Sequence, residues 1–366
     1  MYVYTLKQVI RVYPESTALE SMHGVVVQQL NGLDDKAAAQ MIATNQLDIL
    51  IEMNGFTEGG RPELVSMLRG GTLSTVSYLG WPSTFGDTRL MQFAMVDRCV
   101  VPLESAPKYF TEKLIILPRS FFVGDHDYKM RTRTTDTASY TTQRLDHRHA
   151  LGKHEDAFIF CNFNQLFKLS VDKEDTLGLW SQILHRAPPS SILWLLRHPS
   201  VAEPFVVRRL LALGINTTTR LSFSDFAEKK QYLARSSAGD LFLDNFRYNA
   251  GATGVDALYS GVPVLTMPTD RSVGRFGWSQ QNSMRVQTVA WSLKTYENMA
   301  VNLSRRPRLV KGIRWRLRHR RKNDLFDMTG FAKDFASVLK MSNEMARRPV
   351  EDPDVKRKRM HVVHAK

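Results

Sequence analysis

A chain of 366 residues, 43% of them hydrophobic and 23% charged, has room for about two domains and is too mixed in composition for a disordered or fibrous protein. A net charge of +14 points towards anionic partners, whether nucleotides, nucleic acid, acidic proteins or membrane surfaces. Cys99 and Cys161 make no disulfide framework, no signal peptide opens the chain and no run of about 18 apolar residues occurs, so a soluble intracellular protein without a membrane span is the expectation.

In chain order, apolar runs predict strands at 2–6 (YVYTL), 48–53 (DILIEM), 73–79 (LSTVSYL), 93–97 (FAMVD) and 113–117 (KLIIL). Asp34 and Asp35 precede a helix through KAAAQMIATNQ, and Pro62 opens another, PELVSML. Residues 125–155 are polar without an apolar period and read as a linker. Strand and helix then alternate: strand 157–163, helix 174–187 halted by Pro188 and Pro189, strand 191–197, helix 203–214 closed by Gly214. A strand at 220–224, a helix over about 226–236, and strands at 240–244 and 263–267 continue the pattern. Alternation of this kind predicts a parallel, doubly wound α/β sheet, and no repeat of solenoid length is present.

Between the last two strands lies Asn249-Ala250-Gly251-Ala252-Thr253-Gly254, a small-residue elbow that opens a helix. Open parallel sheets take ligands beyond the carboxyl ends of their strands, and unpaired amides at a helix start favour a phosphate. Thr253 can donate from its hydroxyl, and Asp256, one turn on, can accept from the paired hydroxyls of a sugar. The spacing lacks the G-x-G-x-x-G of dinucleotide sites, so a plain tight connection is the competing reading. Asn162, Asn164, Gln165 and Lys168 leave the 157–163 strand together, and YLGWPSTFG (78–86) follows another strand.

Taken together, NGFTEGGRPEL, YLGWPSTFG, FFVGDH, CNFNQLFK, ILWLLRHPSVAEP and DALYSGVPVLTMP occur in the order found in the catalytic region of the protein O-linked N-acetylglucosamine transferases, and the chain resembles that family over about residues 45–345. The resemblance implies a GT-B glycosyltransferase, two Rossmann-like domains with the nucleotide-sugar cleft between them. The family moves N-acetylglucosamine from UDP-GlcNAc to Ser/Thr hydroxyls of intracellular proteins, inverting the anomeric centre without a metal or other cofactor. By the same resemblance Gln165 and Lys168 contact the nucleotide, with Lys168 neutralising the β-phosphate as UDP leaves; Lys229 lies near the uridine. Thr253 matches the phosphate-binding threonine within Gly251-Ala252-Thr253, and Asp256 the ribose-binding aspartate. Tyr232 stands where animal members have a histidine against the base, and Ala252 removes one hydroxyl donor.

The implied layout is an incomplete acceptor-side domain at 1–125, a linker at 126–155, a nucleotide-sugar domain at 156–345 and a basic tail at 346–366. A histidine segment near the acceptor and the tetratricopeptide repeats find no match here, so slow transfer with retained UDP binding is expected. Three alternatives stay open: the related protein O-fucosyltransferase branch using GDP-fucose, a non-catalytic nucleotide-sugar-binding remnant, and a basic nucleic-acid-binding protein. Asp125-His126-Asp127 resembles a metal-holding D-x-D but belongs to the family's own turn, and His147, His149 and His154 lack ligand spacing, so no metal site is expected. The basic run 305–322, with Trp315 as its one aromatic, reads as a solvated helix face rather than a nucleic-acid site. The expected compartment is cytoplasm, nucleus or both.

Overall fold

The computed structural model describes residues 1–6, 21–68, 73–126, 137–151, 157–169, 175–320, 325–347 and 362–364. They fall into two compact units that are not colinear: Met1–Val96, Leu103–Pro118 and Asp334–Lys366 form one, Asp97–Pro102 and Arg119–Lys333 the other. These units run differently from the expected segments, because the long helix Met328–Arg347 gives its second half to the first unit. There Phe335 sets its ring edge-on to Tyr78 at 5.1 Å and Asn343 accepts from the hydroxyl of Ser74 at 3.0 Å, so the helix covers the sheet. Most of the expected basic tail lies outside the described residues.

In the first unit, β1 (Tyr2–Thr5) pairs in parallel with β2 (Val26–Gln29). The strand β2 was not expected, since its VVQQ run is short and half polar. Five strands form the main sheet: β3 (Ile49–Glu52), β4 (Ser74–Tyr78), β5 (Phe93–Asp97), β6 (Lys113–Leu117) and Val362–His364. Their order is Val362–His364, β6, β5, β4, β3. Every residue of β4 and β5 is buried; β5 is apolar up to Asp97, whereas β4 buries Ser74, Thr75 and Ser77 alongside Val76 and Tyr78. The helix Asp35–Ala43 starts where Asp34 accepts from the amide of Ala37 at 2.7 Å, and Pro62 stands in the first turn of its own helix, both as expected.

The second unit holds an all-parallel sheet of β7 (Ile159–Asn162), β8 (Ile192–Leu196), β9 (Leu221–Ser224), β10 (Leu241–Leu243) and β11 (Val264–Leu265). The order is β11, β10, β7, β8, β9, so the winding reverses between β7 and β10. Helices at Thr176–Arg186, Glu203–Ala212, Lys229–Ser236 and Ala252–Tyr259 connect the strands, as the alternation predicted. Trp180, Trp194, Phe160, Phe242 and Tyr296 are fully buried, and each large apolar side chain removed from water stabilises the unit by roughly 1.5–3 kcal/mol. Cys99 and Cys161 are free thiols, and burial pushes both thiol pKa values up, that of Cys99 to about 12.

The expected linker is where the reading of the sequence fails. Residues Thr137–Ala150 form a helix that belongs to the second unit. Arg144 and Arg148 both pair with Asp240; Arg148 Nη1 reaches its Oδ2 at 3.0 Å and the carbonyl of Ala238 at 3.0 Å. Asp240 in turn accepts from the amide of Ile159, at the start of β7, at 2.9 Å. Paired arginines, not an apolar stripe, hold this helix, so the periodicity had nothing to register.

Candidate functional site

The loops leaving β7 and β10 stand side by side at the point where strand order reverses, and buried amides tie them together. Asn162 Nδ2 donates to the carbonyl of Leu243 (2.6 Å) and to Asn245 Oδ1 (2.9 Å). Asn164 Nδ2 meets the same oxygen at 2.7 Å, and the Thr253 hydroxyl donates to Asn164 Oδ1 at 2.6 Å. Asn245 Nδ2 holds the carbonyl of Lys168 at 3.2 Å. Asn162, Asn164, Asn245 and Asn249 are all buried, and a satisfied amide network in a dry interior fixes one arrangement of both loops.

Beneath the second loop sits Asp244, fully buried, whose carboxylate accepts from the amides of Asn245 (2.9 Å) and Ala250 (2.7 Å) and from the Thr266 hydroxyl (2.8 Å). Burial pushes its pKa up to about 6 against those hydrogen bonds and the charge of Lys168. The chain then turns at Gly251 into the helix Ala252–Tyr259. A side chain at Gly254 would stand 2.4 Å from Gln280 Oε1, so the Gln280 amide would have to shift to admit one. Gln280 Nε2 caps the turn by donating to the carbonyls of Ala250 (3.1 Å) and Gly251 (2.9 Å). The first-turn amides of such a helix have no intrahelical acceptor and carry the positive end of its dipole.

Two lysines flank the helix start. Lys168, at the end of the 3₁₀ turn Leu166–Lys168, holds its ammonium 3.9 Å from the centroid of the Tyr248 ring and donates to the carbonyl of Asn249 at 3.2 Å. Burial lowers its pKa, and the charge of Asp244 partly restores it. Lys229, the first residue of its helix, instead pairs directly with Asp256 Oδ1 at 2.5 Å. Asp256 is buried, and the same Oδ1 lies 2.6 Å from His126 Nε2.

Of the residues singled out from sequence, Lys168, Gly251, Ala252, Thr253, Asp256 and Lys229 thus surround one helix terminus. Gln165 is exposed at the head of the 3₁₀ turn. Tyr232 lies partly buried, its ring nearly perpendicular to that of Phe163 with centroids 5.8 Å apart; burial drives its phenol pKa well above the usual value. Sequence reasoning put Asn249 in the elbow but gave no role here to Asp244, Asn245, Tyr248, His126 or Gln280; only the recurrence of asparagine after both strands hinted at the network. Among the described residues no cluster of three or more His, Cys, Asp or Glu side chains could hold a metal ion; Asp127 and His154 lie outside them. The basic run folds largely as the helix Pro307–His319, with Val310, Arg314 and Leu317 inward and Arg308, Lys311, Trp315 and Arg316 exposed.

The loops at the carboxyl ends of β7 and β10 set a partly desolvated ammonium beside a helix N-terminus, and by class this is a doubly wound, parallel α/β protein. Residues 11–147 and 129–335 match glycosyl transferase family 41, and the chain belongs to that family. It is 33% identical over 318 residues, 86% of its length, to a probable UDP-N-acetylglucosamine–peptide N-acetylglucosaminyltransferase, SEC, of Arabidopsis thaliana. A UDP-N-acetylglucosamine–peptide N-acetylglucosaminyltransferase of Caenorhabditis elegans is 28% identical over 87% of the chain. The chain spans 31% and 36% of those two proteins, about a third of their length. A mutant O-GlcNAc transferase of Thermobaculum terrenum superposes with a TM-score of 0.76 at 21% identity, covering 94% of this chain and 62% of that one. The fold is the GT-B type that the sequence motifs implied.

Proposed function

We propose that this chain carries the donor site of a protein O-GlcNAc transferase, which moves N-acetylglucosamine from UDP-GlcNAc to Ser/Thr hydroxyls of proteins with inversion and without a metal. The observation that carries the reading is Lys168: its ammonium is held by a ring and a carbonyl beside a helix N-terminus, with its charge available to a phosphate. As UDP departs, negative charge grows on the β-phosphate, and a cation fixed in a partly dry crevice stabilises that charge more than it stabilises the ground state. In this reading the amides opening Ala252–Tyr259 face the pyrophosphate, and the Thr253 hydroxyl joins them by exchanging its bond to Asn164 Oδ1 for one to a phosphate oxygen; Asp256 accepts from the ribose hydroxyls, and Gln165 and Tyr232 border the base. The names of the two relatives support UDP-GlcNAc over GDP-fucose as donor. No helix among the described residues is long and apolar enough to cross a membrane, and we place the protein in cytoplasm or nucleus by analogy with the family's intracellular acceptors.

The test is a titration of the purified chain with UDP and with GDP, followed by transfer of labelled GlcNAc to a Ser/Thr peptide with and without EDTA. The expected result is preference for UDP and transfer that EDTA leaves unchanged. Preference for GDP would transfer the reading to the fucosyl alternative, and UDP binding without transfer would leave a binding remnant.

A further inference from the structure

His126 lies 130 residues before Asp256 in sequence, yet its Nε2 meets Asp256 Oδ1 at 2.6 Å. The two side chains are 6% and 5% exposed. The imidazole stacks on Tyr259 at 4.7 Å and takes the edge of Phe326 at 5.5 Å, so its plane is fixed from two sides. Its other nitrogen, Nδ1, is buried without a hydrogen-bond partner. A proton on Nδ1 would be a buried donor with no acceptor, while the bare Nε2 would press a lone pair against a carboxylate oxygen. The arrangement therefore selects the tautomer with its proton on Nε2, donating to Asp256.

Both contacts to Asp256, from His126 and from Lys229 at 2.5 Å, fall on Oδ1. A planar carboxylate with one oxygen pinned by two donors has the direction of its second oxygen fixed as well. The two donors are not equivalent: the Lys229 side chain is 47% exposed, whereas the histidine is enclosed. A half-exposed lysine keeps rotamer freedom and can turn towards solvent or a ligand; the packed imidazole cannot.

We propose that His126 is a positioning residue for nucleotide recognition: it locks the rotamer of Asp256 so that Oδ2 is presented to the hydroxyls of a ribose. The inference rests on the donor-site reading above, in which Asp256 takes the ribose. The imidazole makes no contact with the ligand in this scheme, and its effect is confined to ligands that carry the sugar.

Calorimetric titration of UDP and of inorganic pyrophosphate into the chain and its variants tests it. His126→Phe keeps a ring between Tyr259 and Phe326 and removes the donor; it should raise the Kd for UDP about tenfold, the range for losing a hydrogen bond to a charged group, and change that for pyrophosphate less than about twofold. His126→Gln, whose amide nitrogen can occupy the place of Nε2, should restore UDP binding. The double variant His126→Phe/Asp256→Asn should bind UDP no worse than Asp256→Asn alone, because the histidine acts through the carboxylate. Equal losses for both ligands in His126→Phe, or additive losses in the double variant, would overturn the proposal. Should phenylalanine disturb folding, His126→Asn against His126→Gln puts the same question, since asparagine falls short of Asp256, and equal UDP affinities for the two would overturn it. If Asp256→Asn itself weakens UDP and pyrophosphate alike, the ribose reading is wrong and the role of His126 falls with it.

Discussion

Two lysines lie at the same helix terminus and are treated in opposite ways. Lys229 is neutralised by a carboxylate 2.5 Å away; Lys168 is held by the face of Tyr248 and the carbonyl of Asn249, neither of which carries a formal charge. Direct pairing offsets most of the field of Lys229 locally. The neutral cradle leaves the field of Lys168 available to an incoming anion, while Asp244, buried beneath the loop, opposes the tendency of burial to strip its proton. The lowering of the Lys168 pKa by burial is thus opposed by an anion acting at a distance rather than by a direct ion pair.

Removing the unpaired charge should have the largest effect. Lys168→Ala is expected to lower single-turnover GlcNAc transfer by roughly 10²–10³, the usual cost of deleting one preorganised electrostatic stabiliser, with a smaller loss in UDP affinity. Wild-type turnover in that variant would erase the distinction between the two lysines.

The cradle comes next. Tyr248→Leu keeps an apolar neighbour but removes the ring face, which contributes about 0.5–2 kcal/mol to holding a cation. UDP affinity should fall severalfold by titration, and the change should vanish in a Lys168→Ala background. A loss that persists without the lysine would assign Tyr248 to some other contact.

The smallest effect is on stability, and its sign follows from Asp244. The folded state raises this carboxyl to about 6 from its ordinary value of 3.8, so the folded protein binds the proton more tightly than the unfolded chain between those limits. Its favourable contribution is complete below the lower value and is lost as pH rises through the upper one. Asp244→Asn cannot ionise, so its Tm relative to the wild type should rise between about pH 4 and pH 7. A difference in Tm that stays flat with pH would show that the carboxyl is not carrying a buried charge near neutrality.

How much of this was legible beforehand differs between the backbone and the side chains. β8, β10 and β11 were readable because burial on both faces leaves an unbroken apolar run, half-buried β9 alternates as Leu221-Ser222-Phe223-Ser224, and Pro188, Pro189 and Gly214 punctuate the helices between them. The Gly251–Gly254 elbow stood out for the same local reason, and Lys168, Thr253 and Asp256 followed from motif order. Thr137–Ala150 did not, because a helix fastened by Arg144 and Arg148 to Asp240 displays no apolar stripe.

The sequence by itself determined the alternation of strands and helices from β7 to β11, the turn that opens the helix at Ala252, and the family whose motifs the chain shares. Only the tertiary structure decided that the second half of Met328–Arg347 joins the first unit, that His126 reaches Asp256, and that Tyr248 rather than a carboxylate faces Lys168. The physical reason is one of range. Propensity, capping and apolar period are set by neighbours within a few residues, whereas hydrogen bonds and charge pairs between residues more than 80 positions apart, such as Lys168 with Asn249, exist only once the sheet has brought their loops together.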